Sequence, residues 1–450
     1  MRYVPHSDSD VQRMLDVTGT ASVADLFASI PKALREKGAL ALPDGLGEQE
    51  VLASLESLAH RNRVLGTFQG AGSYNHFVPS VVQQVLSRSE LATAYTPYQP
   101  EVSQGTLQIC FEFQTYISIM TGLDVANASM YDGASALAEA VLMSLRIGRK
   151  RSRILISEGV HPEYVGVVET YLDGFGRGAV ERIPLGTDGR TDMAALEEMI
   201  DDDVACVCIG YPNFFGVIED LGRASAIAAK HKALTISATS EMLALALLKS
   251  PGECGVDIAV AEGQSLGLAM SYGGPGVGLF ATKRSHVRQM PGRLVGETVD
   301  DEGRRGYVLT LSTREQHIRR EKATSNICTN QGLAAVAATV FLGLAGRQGL
   351  RGLAVLNASR AAEVAARIES EAGLRRVYSA PVFNEFVIEA PGGDWFADVV
   401  AHGVVPGVRL GPMFPDRPDM AGHLLVTVTE CNTPDQVDTL VRSLAARRAA

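Results

Sequence analysis

The sequence predicts a doubly wound α/β fold, in which helices cover both faces of a mostly parallel sheet. From about residue 107 onward, helix-like and strand-like segments alternate, as they do in consecutive βα units. Residues 204–210 are a fully apolar run of strand length, which is typical of a strand buried on both faces. After about residue 330, a long apolar helix and two strand-like segments predict a smaller C-terminal α+β domain.

Periodicity and capping residues set the predicted elements. Helices are expected over 107–121, 136–147, 163–171, 192–200, 221–231 and 241–248, and strands over 153–157, 180–184, 204–210, 233–237 and 257–260. In the C-terminal part we expect helices beginning near 332 and over 362–372, and strands over 382–388 and 424–429.

A chain of 450 residues is too long for one compact core, so several domains are expected. Residues 1–65 are predicted to be a helical arm, because 22–27 and 47–58 space their apolar residues at helical intervals. We expect the large doubly wound domain over residues 66–330 and the small domain over residues 331–450.

Composition excludes several classes of function. The formal charge of −10 argues against a nucleic-acid-binding protein, which needs a basic face. The apolar run at 332–346 is short for a membrane span and fits a buried helix better. The N-terminal residues lack an apolar signal core, and the scattered cysteines indicate reduced thiols in a cytoplasmic protein.

The cysteines predict neither disulfides nor a metal site. No Cys-x-x-Cys pair and no His/Cys metal spacing occurs, so we expect no metal and read these residues as reduced core thiols. Two of them share an apolar strand and should point to the same face. The six are Cys110, Cys206, Cys208, Cys254, Cys328 and Cys431.

The loop after the strand that begins near Asp257 lacks a lysine. An enzyme that uses pyridoxal phosphate (PLP) on such a scaffold places its Schiff-base lysine there, shortly before a glycine turn such as residues 273–276. Gln264 and Ser265 hold this place, and neither an amide nor a hydroxyl forms an imine with an aldehyde. The chain is therefore built like a cofactor enzyme but is unable to hold the cofactor covalently.

Two further positions have a functional and a structural interpretation. Asp132 precedes a helix start, where free N–H groups bind phosphate, but its carboxylate would repel a phosphate, so a helix N-cap is the favoured interpretation. His161 follows a strand end, where ligand contacts gather in open α/β sheets, and it would stack on a ring. A helix-cap or core role is the alternative that we favour slightly.

Residues 95–105 are a proline-stiffened loop rich in tyrosine and amide groups. Pro97 and Pro100 limit the entropy that its side chains lose on binding, which suits recognition of a small zwitterion. A plain structural loop is the alternative. The side chains that would contact a substrate or a partner's active site are Tyr95, Tyr98, Gln99, Glu101 and Gln104.

Residues 314–331 form a charged tract that runs into small polar residues. The density of Arg, Glu and Asn indicates an interface network that includes Arg320, Thr324 and Asn326. A solvated helical face is an equally weighted alternative.

Together, these motifs resemble subunit 1 of the glycine decarboxylase P-proteins, over residue 2 to about 435. The resemblance implies a fold-type-I, aminotransferase-like, PLP-dependent transferase architecture, and pairing with a similar PLP-bearing subunit as αβ and then α2β2. It also implies that glycine loses CO2 and that the aminomethyl group passes to the lipoyl arm of H-protein. The motifs that carry the resemblance lie at residues 2–6, 69–76, 95–105, 131–134, 272–276 and 320–331.

Compared with the PLP-bearing half of that family, this chain departs at three cofactor positions. The lysine position falls at Gln264 or Ser265, the aspartate that pairs with the pyridine nitrogen falls near Ala238, and the phosphate-cradle serine falls at Asp132. We therefore expect no catalytic residue within this chain alone, no covalently bound cofactor, and PLP in the partner subunit. Lys249, Lys283 and Lys322 lie elsewhere and do not rescue the site.

Two competing hypotheses remain open from the sequence. A purely structural scaffold would stabilise the partner and keep the 95–105 loop far from its PLP. An independent PLP enzyme would use an unrecognised lysine and be yellow when isolated.

Overall fold

The chain divides into two compact units, Met1–Val64 and Leu65–Ala450. In this computed structural model the described residues are 5–38, 42–174, 176, 178–311, 316–327, 329–391 and 395–448. The predicted boundary between residues 330 and 331 stays a prediction, as do the other domain limits.

The first unit consists of short helices with little core of their own. Leu15 is its only buried residue within 5–38 and 42–64. The predicted helix at residues 22–27 is a 3₁₀ turn, Val23–Phe27. The helices are α1 (Asp8–Thr18), α2 (Lys32–Lys37) and α3 (Glu48–Ala59).

The second unit is built on a seven-stranded sheet of order β2-β8-β7-β6-β5-β3-β4. Neighbouring strands from β4 to β7 run parallel, and β8 is antiparallel to both β7 and β2. The strands are β2 (Val125–Ala126), β3 (Arg153–Ser157), β4 (Ala179–Ile183), β5 (Val204–Gly210), β6 (Leu234–Thr239), β7 (Ile258–Glu262) and β8 (Gly278–Thr282), preceded by β1 (Gly66–Thr67).

Helices cover both faces of this sheet, which confirms the predicted α/β class. The predicted helix at 241–248 is a 3₁₀ turn, Met242–Ala246. The helices are α4 (Ser80–Leu86), α5 (Ser89–Ala92), α6 (Gln104–Thr121), α7 (Gly133–Gly148), α8 (Pro162–Leu172), α9 (Met193–Met199), α10 (Leu221–Lys230), α11 (Gln316–Arg319), α12 (Gly332–Arg367), α13 (Phe396–Ala401) and α14 (Pro434–Arg448).

Strand β5 lies in the middle of the core, with every residue buried. Val207 packs into the cluster on one face of the sheet, while Cys206 and Cys208 pack into the cluster on the other. The two thiols therefore share a face, as the period of two in a strand requires. The prediction that all cysteines are core thiols is wrong for Cys254 and Cys431, which are half-buried because they lie in loops. Cys328 lies outside the described residues.

The C-terminal part carries smaller sheets and the longest helix. A hairpin of β9 and β10 precedes it, and β11, β14 and β13 form an antiparallel sheet. The helix predicted at 362–372 is not separate, because α12 continues through it and ends in a π-helical turn. The strands are β9 (Leu294–Val299), β10 (Arg305–Thr310), β11 (Glu385–Glu389), β12 (Val404–Val405), β13 (Val408–Arg409) and β14 (His423–Thr427).

Helix α12 begins as a core helix. Ala334, Ala338 and Phe341 pack into the large hydrophobic cluster, and the helix bends at Gly346, whose φ is 55°. The segment Gly332–Ala372 is long and apolar enough to cross a membrane by length and composition, but core helices pass the same test. The packing of its first half fits the buried helix that the sequence predicts.

We expect Leu155→Ala to lower the free energy of unfolding by about 2–5 kcal/mol, because it leaves a cavity under the sheet. Leu155 is fully buried on β3. Leu356→Ala is the matched control, since Leu356 is 40% exposed on α12 and should change stability by less than about 0.5 kcal/mol. Urea unfolding of both variants tests this, and equal losses would contradict the assignment of the core.

Candidate functional site

Residues from several sequence-predicted positions meet at one cavity at the carboxyl ends of the parallel strands. This central cavity has a volume of about 360 Å³. Asp132 precedes α7, His161 follows β3, and Gln264 follows β7, so all three reach the edge where open α/β sheets bind ligands. They line the cavity together with Glu262 and the loop at residues 71–73.

Gln264, in the lysine position, joins two loops by hydrogen bonds. Its Oε1 accepts a hydrogen bond from the Tyr74 N–H at 2.8 Å, and its Nε2 donates to the Tyr74 carbonyl at 3.0 Å and the Leu268 carbonyl at 2.7 Å. The amide is buried, and both of its N–H donors are used while its oxygen accepts from Tyr74. The hydroxyl of the neighbouring Ser265 is buried with no hydrogen-bond partner among the described residues.

The amino end of α7 is occupied by carboxylates of this chain. Glu262 accepts from the Gly133 N–H at 3.0 Å and also from the N–H groups of Gln264 and Val277. Burial raises the pKa of Glu262 to about 7. Asp132 accepts from the Ser135 N–H at 2.7 Å, which is the N-cap that the sequence favours. The Gly133 and Ser135 N–H groups, which could otherwise bind a phosphate, therefore already donate to carboxylates of this chain.

His161 is a buried helix cap, the role that the sequence slightly favours, and its stacking on a ligand ring stays a prediction. Its Nδ1 accepts from the Glu163 N–H at 3.2 Å as a helix cap, and its Nε2 lies 2.9 Å from the Ala71 carbonyl. The ring also stacks on Tyr164, with ring centroids 4.7 Å apart. Burial lowers the pKa of His161, so the neutral ring donates from Nε2 to the carbonyl.

Sequence reasoning missed Glu385, which fastens the loop at residues 70–77 to the C-terminal sheet. Its carboxylate accepts from the Ala71 N–H at 2.8 Å, the Tyr74 hydroxyl at 2.7 Å and the Thr427 hydroxyl at 2.8 Å. Burial raises the pKa of Glu385 to about 7. A carboxylate within the apolar strand β11 was the signal that could have identified it.

The same loop is held at its other end by a buried ion triad. His76 lies between Glu241, 2.8 Å from Nε2, and Glu430, 2.9 Å from Nδ1. Burial by itself would lower the pKa of His76, but the two carboxylates outweigh it and raise that pKa to about 10. Both ring nitrogens therefore donate, and the imidazolium joins the loop to residues that precede the turn Met242–Ala246 and follow β14.

The 95–105 loop does not meet the central cavity. Tyr95 is 82% exposed and lines a separate cavity of about 230 Å³ beside α6. Tyr98 is half exposed, and its hydroxyl accepts from the buried Arg293 guanidinium at 3.0 Å. Gln104 bonds to the backbone N–H and carbonyl of Tyr307, so its amide anchors the loop to β10. Gln99 and Glu101 are exposed.

The described residues of the charged tract are mostly exposed or half-buried. Arg320 and Asn326 are exposed and Thr324 is half-buried. Among the described residues of the tract, the helical face offered as an alternative consists of the turn α11 followed by the 3₁₀ turn Arg320–Lys322. Its interface role stays a prediction.

PLP does not fit the residues of the central cavity. Ala238 is a buried methyl group that offers no charge to a ring nitrogen, and the lining carries Asp132, Glu163 and Glu262. No lysine or arginine lines this cavity within the described part of the chain, and Lys283 is paired with Asp257 at 2.6 Å. An acidic lining without an amine neither forms an imine nor favours a phosphate dianion.

A metal site is not formed either. Across the described ranges, no group of three His, Cys, Asp or Glu side chains is arranged to hold a metal ion.

The chain has the aminotransferase-like fold that PLP-dependent transferases share. An aspartate aminotransferase from Thermus thermophilus superposes with a TM-score of 0.59 over 90% of this chain and 97% of its own, at 14% identity, a likeness that shows the fold alone. A crystal structure of glycine decarboxylase (P-protein) of the glycine cleavage system, in inhibitor-bound form, superposes with a TM-score of 0.89 at 42% identity, covering 99% of this chain and 100% of that chain.

Sequence comparison then gives the family. The glycine cleavage system P-protein family model matches residues 1–444. A probable glycine dehydrogenase (decarboxylating) subunit 1 from Anaeromyxobacter dehalogenans is 53% identical over 97% of this chain and 98% of its own length. The chain belongs to the glycine cleavage system P-protein family.

Glu385 generates a pH prediction, because its pKa is raised from the usual 4.5 to about 7. The folded chain binds this proton more tightly than the unfolded chain does, which adds to the free energy of unfolding. That contribution is complete below about pH 4.5 and is lost as the pH rises through 7. We expect Glu385→Gln to make the decline in unfolding free energy between pH 5 and pH 8 shallower by roughly 2–3 kcal/mol.

Urea unfolding at pH 5, 6, 7 and 8 measures this slope. Glu389→Gln is the matched control, because Glu389 lies on the same strand but is exposed. If Glu385→Gln keeps the pH slope of the wild type, the carboxyl is not buried as described.

Proposed function

We propose that this chain is the subunit of a two-subunit glycine decarboxylase, in the glycine cleavage system, that does not bind PLP. With its partner it decarboxylates glycine and passes the aminomethyl group to the lipoyl arm of H-protein. The partner subunit carries PLP, the two subunits assemble as α2β2, and the complex works in the cytoplasm. Support comes from the family membership and from relatives named subunit 1.

The proposal rests on one observation: residues of this chain fill the cofactor position and satisfy one another's hydrogen bonds there. Gln264 is bonded on both sides to the Tyr74 backbone, and Glu262 takes the first N–H of α7. Opening this site for PLP would break several buried hydrogen bonds, at roughly 1 kcal/mol or more for each group left unpaired. A chain closed in this way is suited to pairing rather than to reacting.

This chain would then contribute to the reaction through loops that reach the partner's active site. In fold-type-I dimers the active site lies at the subunit boundary, as the family resemblance implies. Tyr95 is exposed, and the loop that carries it is fixed by Gln104 and Tyr98, so its polar groups are pre-placed. Glu101 and Gln99 are exposed on the same loop, and the interface role of Arg320, Thr324 and Asn326 belongs to the same proposal.

Reconstitution from purified subunits tests the proposal. This chain alone should be colourless with PLP and inactive, and glycine–CO2 exchange should reach its full rate only on mixing with the PLP-bearing subunit. If the partner alone exchanges CO2 at the full rate, this chain is a scaffold. If this chain alone turns yellow and exchanges CO2, it is an independent PLP enzyme.

We expect borohydride reduction of this chain with PLP to leave the mass of the segment at residues 257–283 unchanged, because no imine forms there. Gln264→Lys alone should also give no activity, because Ala238 supplies no charge to the ring nitrogen. Peptide mass spectrometry measures the first result, and glycine–CO2 exchange measures the second. A stoichiometric pyridoxyl-lysine adduct in the wild-type chain would disprove the proposal.

We expect Tyr98→Phe to reduce exchange by the mixed subunits roughly tenfold to hundredfold. In the proposed complex the Tyr98 hydroxyl hydrogen-bonds the glycine carboxylate or the cofactor in the partner's site, and losing one such bond to a charged group costs about 1.5–3 kcal/mol. Size-exclusion elution of the complex should stay the same, because the loop and not the assembly is altered. Unchanged exchange in both Tyr95→Phe and Tyr98→Phe would leave the loop with a structural role.

A further inference from the structure

Arg293 is a buried cation that lies against the 95–105 loop. It is 3% exposed and directly precedes β9, and its carbonyl accepts from the Ala128 N–H at 2.9 Å. Gly292 has a φ of 73°, and a β-carbon there would lie 2.7 Å from Asn127 Nδ2. The backbone at residues 292–293 is therefore held close to residues 127–128, so the guanidinium extends from a fixed point.

The guanidinium contacts two residues of the loop, one on each side of Pro97. One terminal nitrogen donates to the Tyr98 hydroxyl at 3.0 Å, and the other donates to the Thr96 hydroxyl at 3.3 Å. Its central carbon also lies 5.2 Å from the centroid of the Tyr98 ring, a distance at which a cation attracts an aromatic face. A planar guanidinium can hold both hydroxyls at once, whereas the ammonium of a lysine is a point charge on a flexible stem.

The hairpin of β9 and β10 makes this support rigid. Gln114 on α6 accepts from the Val295 N–H at 2.9 Å and donates to the Val295 carbonyl at 3.0 Å, two residues beyond Arg293. Gln104, at the other end of the loop, bonds to Tyr307 on the neighbouring strand β10. Both ends of the loop are thus anchored to one hairpin that is itself fixed to α6.

Tyr98 joins this fixed, buried cation to the surface of the chain. It is 48% exposed, so part of its side chain faces outward while its hydroxyl contacts Arg293. Gln104 holds its end of the loop with a neutral amide, so a charged group is not needed merely to tie the loop down. Because burying a charge costs more free energy than burying an amide, we infer that the guanidinium serves to orient Tyr98.

We propose that Arg293 is a positioning residue for glycine decarboxylation, which sets the direction of the Tyr98 hydroxyl toward the partner's active site. This inference rests on the proposed function, because it needs the 95–105 loop to reach that site. Arg293 acts through Tyr98 and not on glycine itself, since its guanidinium is buried. Misplacing a positioning group by about 1 Å can slow a reaction about a hundredfold.

A double-mutant cycle in the assembled complex tests the inference. Arg293→Lys should lower kcat/KM for glycine–CO2 exchange about tenfold, because lysine keeps the charge but loses the fork that holds both hydroxyls. In the Tyr98→Phe background the same change should lower kcat/KM by less than about twofold, because the group that Arg293 positions is already gone.

Arg305→Lys is the matched control. The Arg305 guanidinium lies 5.7 Å from the centroid of the Tyr307 ring on the same hairpin, but Arg305 is exposed, and its replacement should leave exchange unaltered. Wild-type exchange by Arg293→Lys would overturn the inference. Losses that multiply when Arg293→Lys and Tyr98→Phe are combined would also overturn it, because a general effect on stability does not depend on Tyr98.

Thr96→Val is the second variant, for the case in which Arg293→Lys does not fold. It removes one of the two hydroxyls that orient the guanidinium and leaves both Arg293 and Tyr98 in place. We expect it to lower kcat/KM about threefold, with an unchanged melting temperature of this chain. In that case, unaltered exchange by Thr96→Val overturns the inference.

Two failures are distinguishable. If the wild-type subunits exchange CO2 on mixing and Arg293→Lys exchanges equally well, the positioning role is wrong and the proposed function stands. If the wild-type subunits do not exchange CO2 on mixing, both fail.

Discussion

The paired hydrogen bonds between the Gln264 amide and the Tyr74 backbone are the constraint on which the site depends. One side chain accepts from the Tyr74 N–H of a buried loop and donates to the Tyr74 carbonyl, which also accepts from the His76 N–H. The loop can therefore lie across the carboxyl ends of the strands. Once it is there, Tyr74 reaches Glu385 and His76 reaches the two carboxylates of its ion triad.

In this aminotransferase-like fold, the carboxyl ends of the parallel strands, where such sheets bind ligands, are filled by the chain's own side chains. Glu262 and Asp132 satisfy the amino end of α7 from inside the chain, and His161 is packed against Tyr164. Every one of these groups is satisfied by the protein itself, and Glu262 and Glu385 have raised pKa values because they are buried. The site is thus a structural junction between the large sheet and the C-terminal sheet.

Local features of this architecture could be predicted from the sequence, and distant pairings could not. The buried strand β5 and the Asp132 N-cap follow from residues adjacent in sequence. Gln264 and Tyr74 are 190 residues apart, and Tyr74 and Glu385 are 311 apart, so no periodicity connects them. The absence of a lysine is visible in the sequence. The sequence does not show that the Tyr74 backbone is the hydrogen-bond partner of the residue in its place. The turn Met242–Ala246 was wrongly predicted as α-helix because its short apolar run fits several periods.

A crystal structure of the assembled two-subunit complex, grown with excess PLP, tests the central claim most directly. We expect the Gln264 amide still to bond to the Tyr74 backbone, with no density for PLP in the central cavity and full density in the partner. Density for PLP beside Gln264, with the loop at residues 70–77 displaced, would contradict it.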